Sequence, residues 1–244
     1  MKNLILLILL ASLNFVKAQD HALHGAPTNN LGLNAGEEGM MVYNALDISK
    51  ISGVFYEFDD IRLAKVATEG SFLLFEDWKN KGVILYGGKK LIISNINFNI
   101  KSGQFMSQLE KDSTFVFDFK GIDKIIVNDR PFKSVYNNQL AENMVCEVLY
   151  EDNKIALLKN YYVTTLESSP NPMLNRPKNK IQKQSNYFIS KNNFVSPFKL
   201  KKSEILELSE KSGGLEKYVK SNRLSYKKEE DVAKMLGFLS KSEW

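Results

Sequence analysis

Hydrophobic and polar residues alternate along most of the chain from Phe72 onward. The alternation has a period of two, which is typical of β-strands with one buried and one solvated face. It is clearest in residues 95–100, where apolar positions alternate with Asn95, Asn97 and Asn99. The pattern predicts a strand there, with the three asparagines on the solvated face.

Short turn sequences separate the strand patterns, at Gly87-Gly88, Asn128-Asp129, Glu151–Asn153 and Lys191–Asn193. Gly87-Gly88 fits a two-residue hairpin turn, since such turns need positive φ and glycine permits it. Strands and turns at this spacing favour a curved antiparallel β-meander or barrel-like sheet, whose curl hides its edges. We expect roughly eight to ten strands, the usual scale of a sheet.

After residue 200 the period changes from two to 3.6, which predicts helices. Ser203 is the predicted N-cap of a first helix, and Gly213-Gly214 its predicted end. A second short helix is expected around Tyr218. A third is indicated by an apolar stripe at i, i+3, i+4 and i+7, formed by Val232, Met235, Leu236 and Leu239. The fold class is therefore predicted as α+β, mainly β, with two or three C-terminal helices.

Residues 1–18 have the pattern of a secretory signal peptide, with Lys2 ahead of the apolar run Leu4–Leu13 and predicted cleavage after Ala18. Residues 19–39 are expected to be a flexible leader. The predicted organisation continues with a β-rich domain over 40–200 and helices packed on the same domain over 201–244. An exported protein, periplasmic or secreted, is expected, with no transmembrane helix after signal cleavage.

Charge is mild overall but unevenly placed along the sequence. Without Lys2 and Lys17, 31 basic residues stand against 28 acidic ones, a net charge of +3. No acidic residue occurs in 168–203, where eight basic residues lie. Within this segment, 168–185 holds three prolines and few apolar residues, and it is predicted to be a long exposed loop.

The acid-free segment is the first candidate site, because lysines beside aromatic residues can attract an anionic polymer or surface. The candidate ligand-binding residues are Arg176, Lys178, Lys180, Lys183 and Lys191. A solvated loop and strand face without a dedicated partner is the other interpretation. Trp78 is either a sugar-stacking platform or a core or rim aromatic residue. No specific nucleic-acid motif is present.

Histidine is nearly absent, which removes several kinds of chemistry. The two histidines, His21 and His24, both lie in the leader. A Ser–His–Asp or Cys–His nucleophile and a histidine-ligated zinc hydrolase are therefore excluded from the β-rich body. Cys146 is the single cysteine. We expect it to be a small buried hydrophobic residue on one strand face with Met144 and Val148, with intermolecular pairing as the alternative.

A metal site is conceivable at the mature N-terminus. Cleavage after Ala18 would place His21 third from a free amine, where the amine, two amide nitrogens and the imidazole form a square-planar site for Cu(II) or Ni(II). His24 could assist. No other cofactor is expected, and cyclisation of Gln19 would remove the amine.

Acidic pairs are the remaining catalytic candidates, since a glycosidase needs only two carboxylates at the right separation. The pairs are Asp59-Asp60, Glu76-Asp77, and Asp118 with Asp123. Adjacent acids on a strand point to opposite faces, so we interpret these residues as solvated turn and strand-end groups. The expected role is a non-catalytic, envelope-associated binding or interaction protein. The alternative is a carboxylate-dependent enzyme acting on a glycan or envelope polymer.

Several stretches also resemble a known family. They are GSFLLFEDWK at 70–79, KGVILYGGKKL at 81–91, INFNIKSGQF at 96–105, YYV at 161–163 and YVKSNRLSYKKEEDVAKML at 218–236. These resemble a family of uncharacterised exported proteins of Gram-negative bacteria. The motifs are apolar and turn patterns, and the resemblance implies no assigned activity and no site residues.

Overall fold

The computed structural model describes residues 51–57, 68–110, 113–168, 178–209 and 212–242. The predicted signal peptide and leader lie outside these ranges, and so do residues 169–177 of the predicted loop. Within them, two antiparallel sheets are followed by three helices. The larger sheet curls into a half-barrel, so the predicted class, α+β and mainly β, is confirmed.

The smaller sheet has the strand order β1-β7-β6-β5. Its strands are β1 (Gly53–Glu57), β5 (Ile96–Asn99), β6 (Gln104–Glu110) and β7 (Ser113–Phe117). The larger sheet has the order β13-β12-β11-β10-β9-β8-β3-β4, with β2 paired to β12 in parallel. Its strands are β2 (Thr68–Glu69), β3 (Lys81–Tyr86), β4 (Lys89–Ser94), β8 (Lys124–Val127), β9 (Arg130–Asn137), β10 (Glu142–Glu151), β11 (Ile155–Leu166), β12 (Asn179–Lys191) and β13 (Phe194–Phe198).

Three predicted turns are two-residue hairpin turns with positive φ at both positions. The φ angles are 51° and 74° at Gly87-Gly88, 49° and 63° at Asn128-Asp129, and 51° and 63° at Asn192-Asn193. This backbone matches the right-handed twist of the flanking strands, and glycine and asparagine tolerate it best. The turn residues therefore fix which neighbouring strands pair.

Strands β9–β13 curl until β13 contacts β9. The backbone N–H of Val195 donates a hydrogen bond to Oδ1 of Asn138 at 3.2 Å, which joins the two ends of the curl. Cys146, Val148 and Leu158 lie in the buried cluster of this region. The prediction that Cys146 is a small buried hydrophobic residue is confirmed, and burial raises the pKa of its thiol to about 12.

The smaller sheet packs on the larger one through an aromatic core. Phe98 of β5, Phe105 of β6 and Phe132 of β9 are fully buried, and their ring centroids lie 4.9–6.0 Å apart. Burial of such side chains is the main stabilising contribution at this interface, about 1.5–3 kcal/mol for each.

Asn97 corrects the prediction for β5, because it is fully buried instead of facing solvent. Its side-chain amide accepts a hydrogen bond from the N–H of Phe75 at 3.1 Å and donates to the carbonyls of Phe75 and Asp77 at 3.1 and 2.7 Å. We call residues 70–80 the connecting segment. Its backbone needs polar partners where it has left the regular sheet, and Asn97 supplies them.

The connecting segment links the two sheets. On one side, the N–H of Leu74 donates to the carbonyl of Phe98 at 2.8 Å, which covers the edge of β5. On the other side, Gly70 lies against Ile181 of β12, where an added Cβ would come within 3.0 Å of the Ile181 carbonyl oxygen. Most of the sequence GSFLLFEDWK at 70–79 is therefore a structural connector between the sheets.

The helices are α1 (Lys202–Glu207), α2 (Ser212–Ser221) and α3 (Glu229–Ser242). The predicted stripe of α3 is confirmed, since its members are buried against β11–β13, namely Val232, Met235, Leu236 and Leu239. The predicted boundaries of α1 are wrong. Lys201 is its N-cap and makes no side-chain cap hydrogen bond, and Gly213-Gly214 lies inside α2. Tertiary burial of Ile205 and Leu215 outweighs these local signals.

The predicted loop 168–185 is also too long. Residues 179–185 belong to β12, where 180–185 pair with residues 161–166 of β11 and Asn179 pairs with Thr68 of β2. This stretch has few apolar residues, so its pattern did not predict a strand. The strand is polar on one face and contacts the core through Ile181 on the other. In the part of the chain that is described, no helix combines the length and apolar character needed to cross a membrane.

Candidate functional site

The outer halves of β11 and β12 form a ribbon that extends beyond β10 and β13, and β2 pairs with its end at Asn179 and Lys180. β10 pairs with β11 only as far as Asn160, whereas the β11–β12 ladder continues to Leu166 and Lys180. The Asn160 side chain donates to the Val145 carbonyl at 3.1 Å, at the point where β10 diverges. We call residues 161–166 with 178–185 the basic ribbon.

The basic ribbon belongs to strands without acidic residues, and the neighbouring β2 brings one exposed carboxylate, Glu69, next to Lys180. The three adjacent strands β11, β12 and β13 contain no aspartate or glutamate, and their lysines are Lys159, Lys180, Lys183 and Lys191. Among them, Lys159 is ion-paired with Glu229 of α3 at 2.8 Å. The others leave a net positive field on this part of the surface.

The structure brings three of the predicted binding residues together and separates a fourth. Lys180 and Lys183 of β12 and Lys178, which directly precedes that strand, are exposed within a stretch of six residues. Lys180 and Lys183 project from opposite faces of β12, and Nζ of Lys183 donates to the Leu74 carbonyl at 3.3 Å. Lys191 lies at the other end of β12, and a rise of about 3.3 Å per residue places its Cα about 26 Å from that of Lys183. Arg176 lies outside the described residues.

The uncharged side chains of the ribbon complete its open surface. Tyr162 and Thr164 are exposed on the face that Lys180 shares, opposite Gln184 and Gln182. Hydroxyl and amide groups of this kind can donate to and accept from a polar polymer. Trp78 is half-buried in the connecting segment, which agrees with a rim position.

A second polar cluster lies between the aromatic core and the helices. We call it the polar array, and its members are Arg130, Glu147, Lys159, Tyr161, Tyr187 and Glu229. Arg130 donates from Nε and Nη2 to the two oxygens of Glu147, at 2.7 and 2.8 Å. The Tyr161 hydroxyl donates to Glu147 at 2.5 Å.

Aromatic rings surround the Arg130 guanidinium. Its Cζ lies 5.2 Å from the centroid of Phe75, 5.6 Å from that of Phe132 and 5.6 Å from that of Tyr161. A guanidinium is favoured over aromatic faces, especially where water is excluded. The array thereby joins the edge of the aromatic core to α3, which contributes Glu229 to Lys159 and to the Tyr187 hydroxyl.

Charge partners decide the protonation of the array. Burial opposes ionisation of Glu147, but the hydrogen bonds from Arg130 and Tyr161 outweigh it and hold the Glu147 pKa below its ordinary value. Burial and the Glu147 contact raise the pKa of Tyr161, and burial with the Glu229 contact raises that of Tyr187 to about 12. Glu147 is thus an anion and both tyrosines are neutral donors at neutral pH.

This arrangement suits holding a structure more than transferring protons. A general acid needs a raised carboxyl pKa near the working pH, whereas the Glu147 pKa is lowered. Two of the carboxylates that the sequence singled out instead accept hydrogen bonds from nearby backbone N–H groups. Asp77 accepts from the N–H of Lys79 at 2.8 Å, and Asp118 from the N–H of Lys120 at 3.0 Å. Asp123 is exposed, and Asp59-Asp60 lies outside the described residues.

A shallow polar pocket of about 400 Å³ lies at the turn ends of β10–β13. Glu151 lines it and is bound to Lys124 at 2.9 Å and to Lys133. Asp152, whose pKa is lowered to about 2, accepts from the N–H groups of Lys154 and Ile155. Both carboxylates of this pocket are therefore already engaged, Glu151 by lysines of β8 and β9 and Asp152 by backbone N–H groups of its own turn.

Sequence reasoning missed Arg130 and Glu147. A signal was present, since Glu147 is a charged residue inside the apolar run 144–149, and Arg130 is one of only four arginines. A charge in a buried strand needs a partner. The sequence could not show that strand β9 would supply it.

A metal site was also considered for the described residues. No group of three or more histidine, cysteine, aspartate or glutamate side chains there could hold a metal ion. The proposed Cu(II) or Ni(II) ligands, His21 and His24, lie outside the described residues. Comparisons with protein-family models, curated proteins and solved structures find no match.

Proposed function

We propose that the protein is an exported, non-catalytic binding protein of the cell envelope, and that the basic ribbon holds an anionic polymer. The observation that carries this proposal is the composition of strands β11–β13, which contain lysines and no carboxylate. A polyanion approaching the ribbon meets Lys178, Lys180 and Lys183 without a competing acidic side chain on the same strands. An acidic glycan or lipopolysaccharide has the required charge.

Binding of this kind is electrostatic and tolerant of sequence or linkage. Lysine offers a flexible point charge, whereas precise bidentate recognition of a phosphate or carboxylate favours arginine. A polymer that neutralises several lysines releases counterions, so its affinity falls as salt rises. The polar side chains around Tyr162 supply hydrogen bonds that salt does not screen.

The test is binding of the full mature chain to polygalacturonate and to purified lipopolysaccharide over a range of salt concentrations. In K178E/K180E/K183E we expect binding to weaken by on the order of 100-fold, at about 1 kcal/mol for each lysine near an anionic surface. The matched control is K89E/K90E/K120E, which reverses three exposed lysines elsewhere and should bind nearly as the wild type does.

Circular dichroism and thermal unfolding separate lost binding from lost folding, since Lys183 also contacts Leu74. Equal loss in both triple variants would mean that net charge, not the ribbon, attracts the polymer. Unchanged binding in K178E/K180E/K183E would overturn the proposal. Cleavage of either polymer, abolished by replacing a single carboxylate, would support the alternative of a carboxylate-dependent enzyme.

A further inference from the structure

The outer half of β11, residues 161–166, has an open edge. One edge of this stretch pairs with β12 over Tyr161–Leu166. β10 has already diverged at Asn160, and no strand in the described ranges pairs with the other edge. An open edge presents unpaired backbone N–H and C=O groups that can template another strand.

This edge lacks the features that keep sheet edges apart. Its sequence, Tyr-Tyr-Val-Thr-Thr-Leu, is uncharged, contains no proline or glycine and is rich in aromatic and β-branched residues. Such residues have high β-propensity. Tyr162 and Thr164 are exposed on one face, and Val163 packs on the aromatic core from the other, which anchors the strand to the core.

The other sheet edges are protected. β4, the last strand of the larger sheet, carries exposed Lys89 and Lys90. β13 carries Pro197 and contacts β9, and the connecting segment covers β5. β1 is short and ends in Glu57. Two other stretches in the described ranges have an edge that no strand pairs with, residues 142–145 of β10 and 181–186 of β12, and they carry Glu142 and Lys183. The uncharged edge at residues 161–166 is therefore the one best suited to pairing with another strand.

We propose that two copies of the chain associate through this edge, with β11 antiparallel to β11 of the partner copy around a two-fold axis. A two-fold axis perpendicular to the sheet pairs residues of the same face. Centred on Val163, it sets Tyr162 opposite Thr164 and Tyr161 opposite Thr165. Aromatic and β-branched cross-strand pairs are favourable, and no like charges meet.

The charges near the edge of β11 are compatible with a second copy of the chain as its partner. The lysines of the ribbon lie on β12, one strand away from the edge. With strands about 4.8 Å apart, the two β12 strands of the dimer are about 14 Å apart, beyond the roughly 8 Å screening length at physiological salt. The lysines therefore leave the pairing nearly undisturbed, and a closed two-fold dimer uses up the edge and stops further growth.

The test measures mass by sedimentation and light scattering over a series of concentrations of the full mature chain. We expect a monomer–dimer equilibrium that persists at high salt, whereas polymer binding at the basic ribbon weakens with salt. T164K/T165K should be monomeric, because charges on an edge strand oppose pairing. Q184K/N186K, which adds the same charges to exposed positions of β12, should remain dimeric.

Amide hydrogen exchange shows whether a second copy or another segment of the same chain covers the edge of β11. In the proposed dimer, amides of residues 161–166 become protected as concentration rises, and T164K/T165K loses that dependence. A wild-type chain that stays monomeric at its solubility limit overturns the proposal. So do edge amides that are protected in the monomer, since another segment of the same chain would then cover them. A dimer that T164K/T165K leaves intact also overturns it.

Discussion

The smaller sheet and the helices cover different regions of the larger sheet, and the two regions differ in their polar groups. The aromatic side, where the smaller sheet packs, buries Asn80, Asn97, Ser107 and Thr114 beside its phenylalanines. The helix side is joined through apolar residues of α1–α3, and no polar residue in the described part of those helices is buried. Its polar contacts with the sheet, such as Lys159 with Glu229, lie at a half-exposed rim.

This difference indicates how each side is specified. A buried amide has one arrangement in which its donors and acceptors are satisfied, so it fixes the position of the connecting segment. An apolar stripe has no such directional requirement and tolerates small shifts. Replacing a polar residue should therefore lower the free energy of unfolding strongly on the aromatic side and weakly on the helix side.

The largest effect is expected when Arg130 is replaced by methionine. Glu147, whose side chain is only 8% exposed, would remain charged without its partner. Breaking a buried ion pair in this way costs about 3 kcal/mol of unfolding free energy. Urea denaturation measures the loss, and the double variant R130M/E147Q should recover much of it because the buried charge is gone. A double variant as unstable as R130M would show that aromatic packing around Arg130 dominates instead.

The same pair makes stability depend on pH. The lowered pKa of Glu147 means that its stabilisation is complete above the unfolded-state value, about 4.3, and is lost as pH falls through the folded-state value. In R130M, Glu147 keeps only the Tyr161 hydrogen bond and the charge of Lys159, so we expect burial to shift its pKa upward relative to the wild type and protonation to cost the folded state less. R130M should therefore become more stable relative to the wild type as pH falls.

A smaller effect is expected for Asn97→Ala. The substitution leaves the N–H and carbonyl of Phe75 without their side-chain partner, and an unsatisfied buried group costs about 1–3 kcal/mol. We expect a loss of about 2 kcal/mol in urea denaturation and faster amide exchange across the connecting segment. Asn186→Ala, an exposed asparagine of β12, is the matched control and should change neither. Equal effects of the two alanines would remove the assigned role of Asn97.

The same contrast explains which features of each side the sequence predicts. The stripe of α3 and the turns at Gly87-Gly88 and Asn128-Asp129 are local patterns, and the structure confirms them. Asn97 and Glu147 have partners that are 22 and 17 residues away in sequence, on other elements. Their burial follows from which strands meet, and an alternating pattern carries no information about that.

The smallest effect is expected for Glu229→Gln, on the helix side. Lys159 and Glu229 keep 17% and 31% of their side-chain surface exposed, so removing the pair should cost at most about 1 kcal/mol. A readout specific to the contact is the ionisation of Tyr187, whose pKa of about 12 owes part of its rise to Glu229 after burial. Tyrosine absorbance titration of E229Q against wild type, with Y187F to assign the signal, should show that pKa falling toward its ordinary value. If Glu229→Gln instead destabilised the protein as much as Asn97→Ala, the rim of the helix side would be as strictly specified as the aromatic side, and the contrast between them would fail.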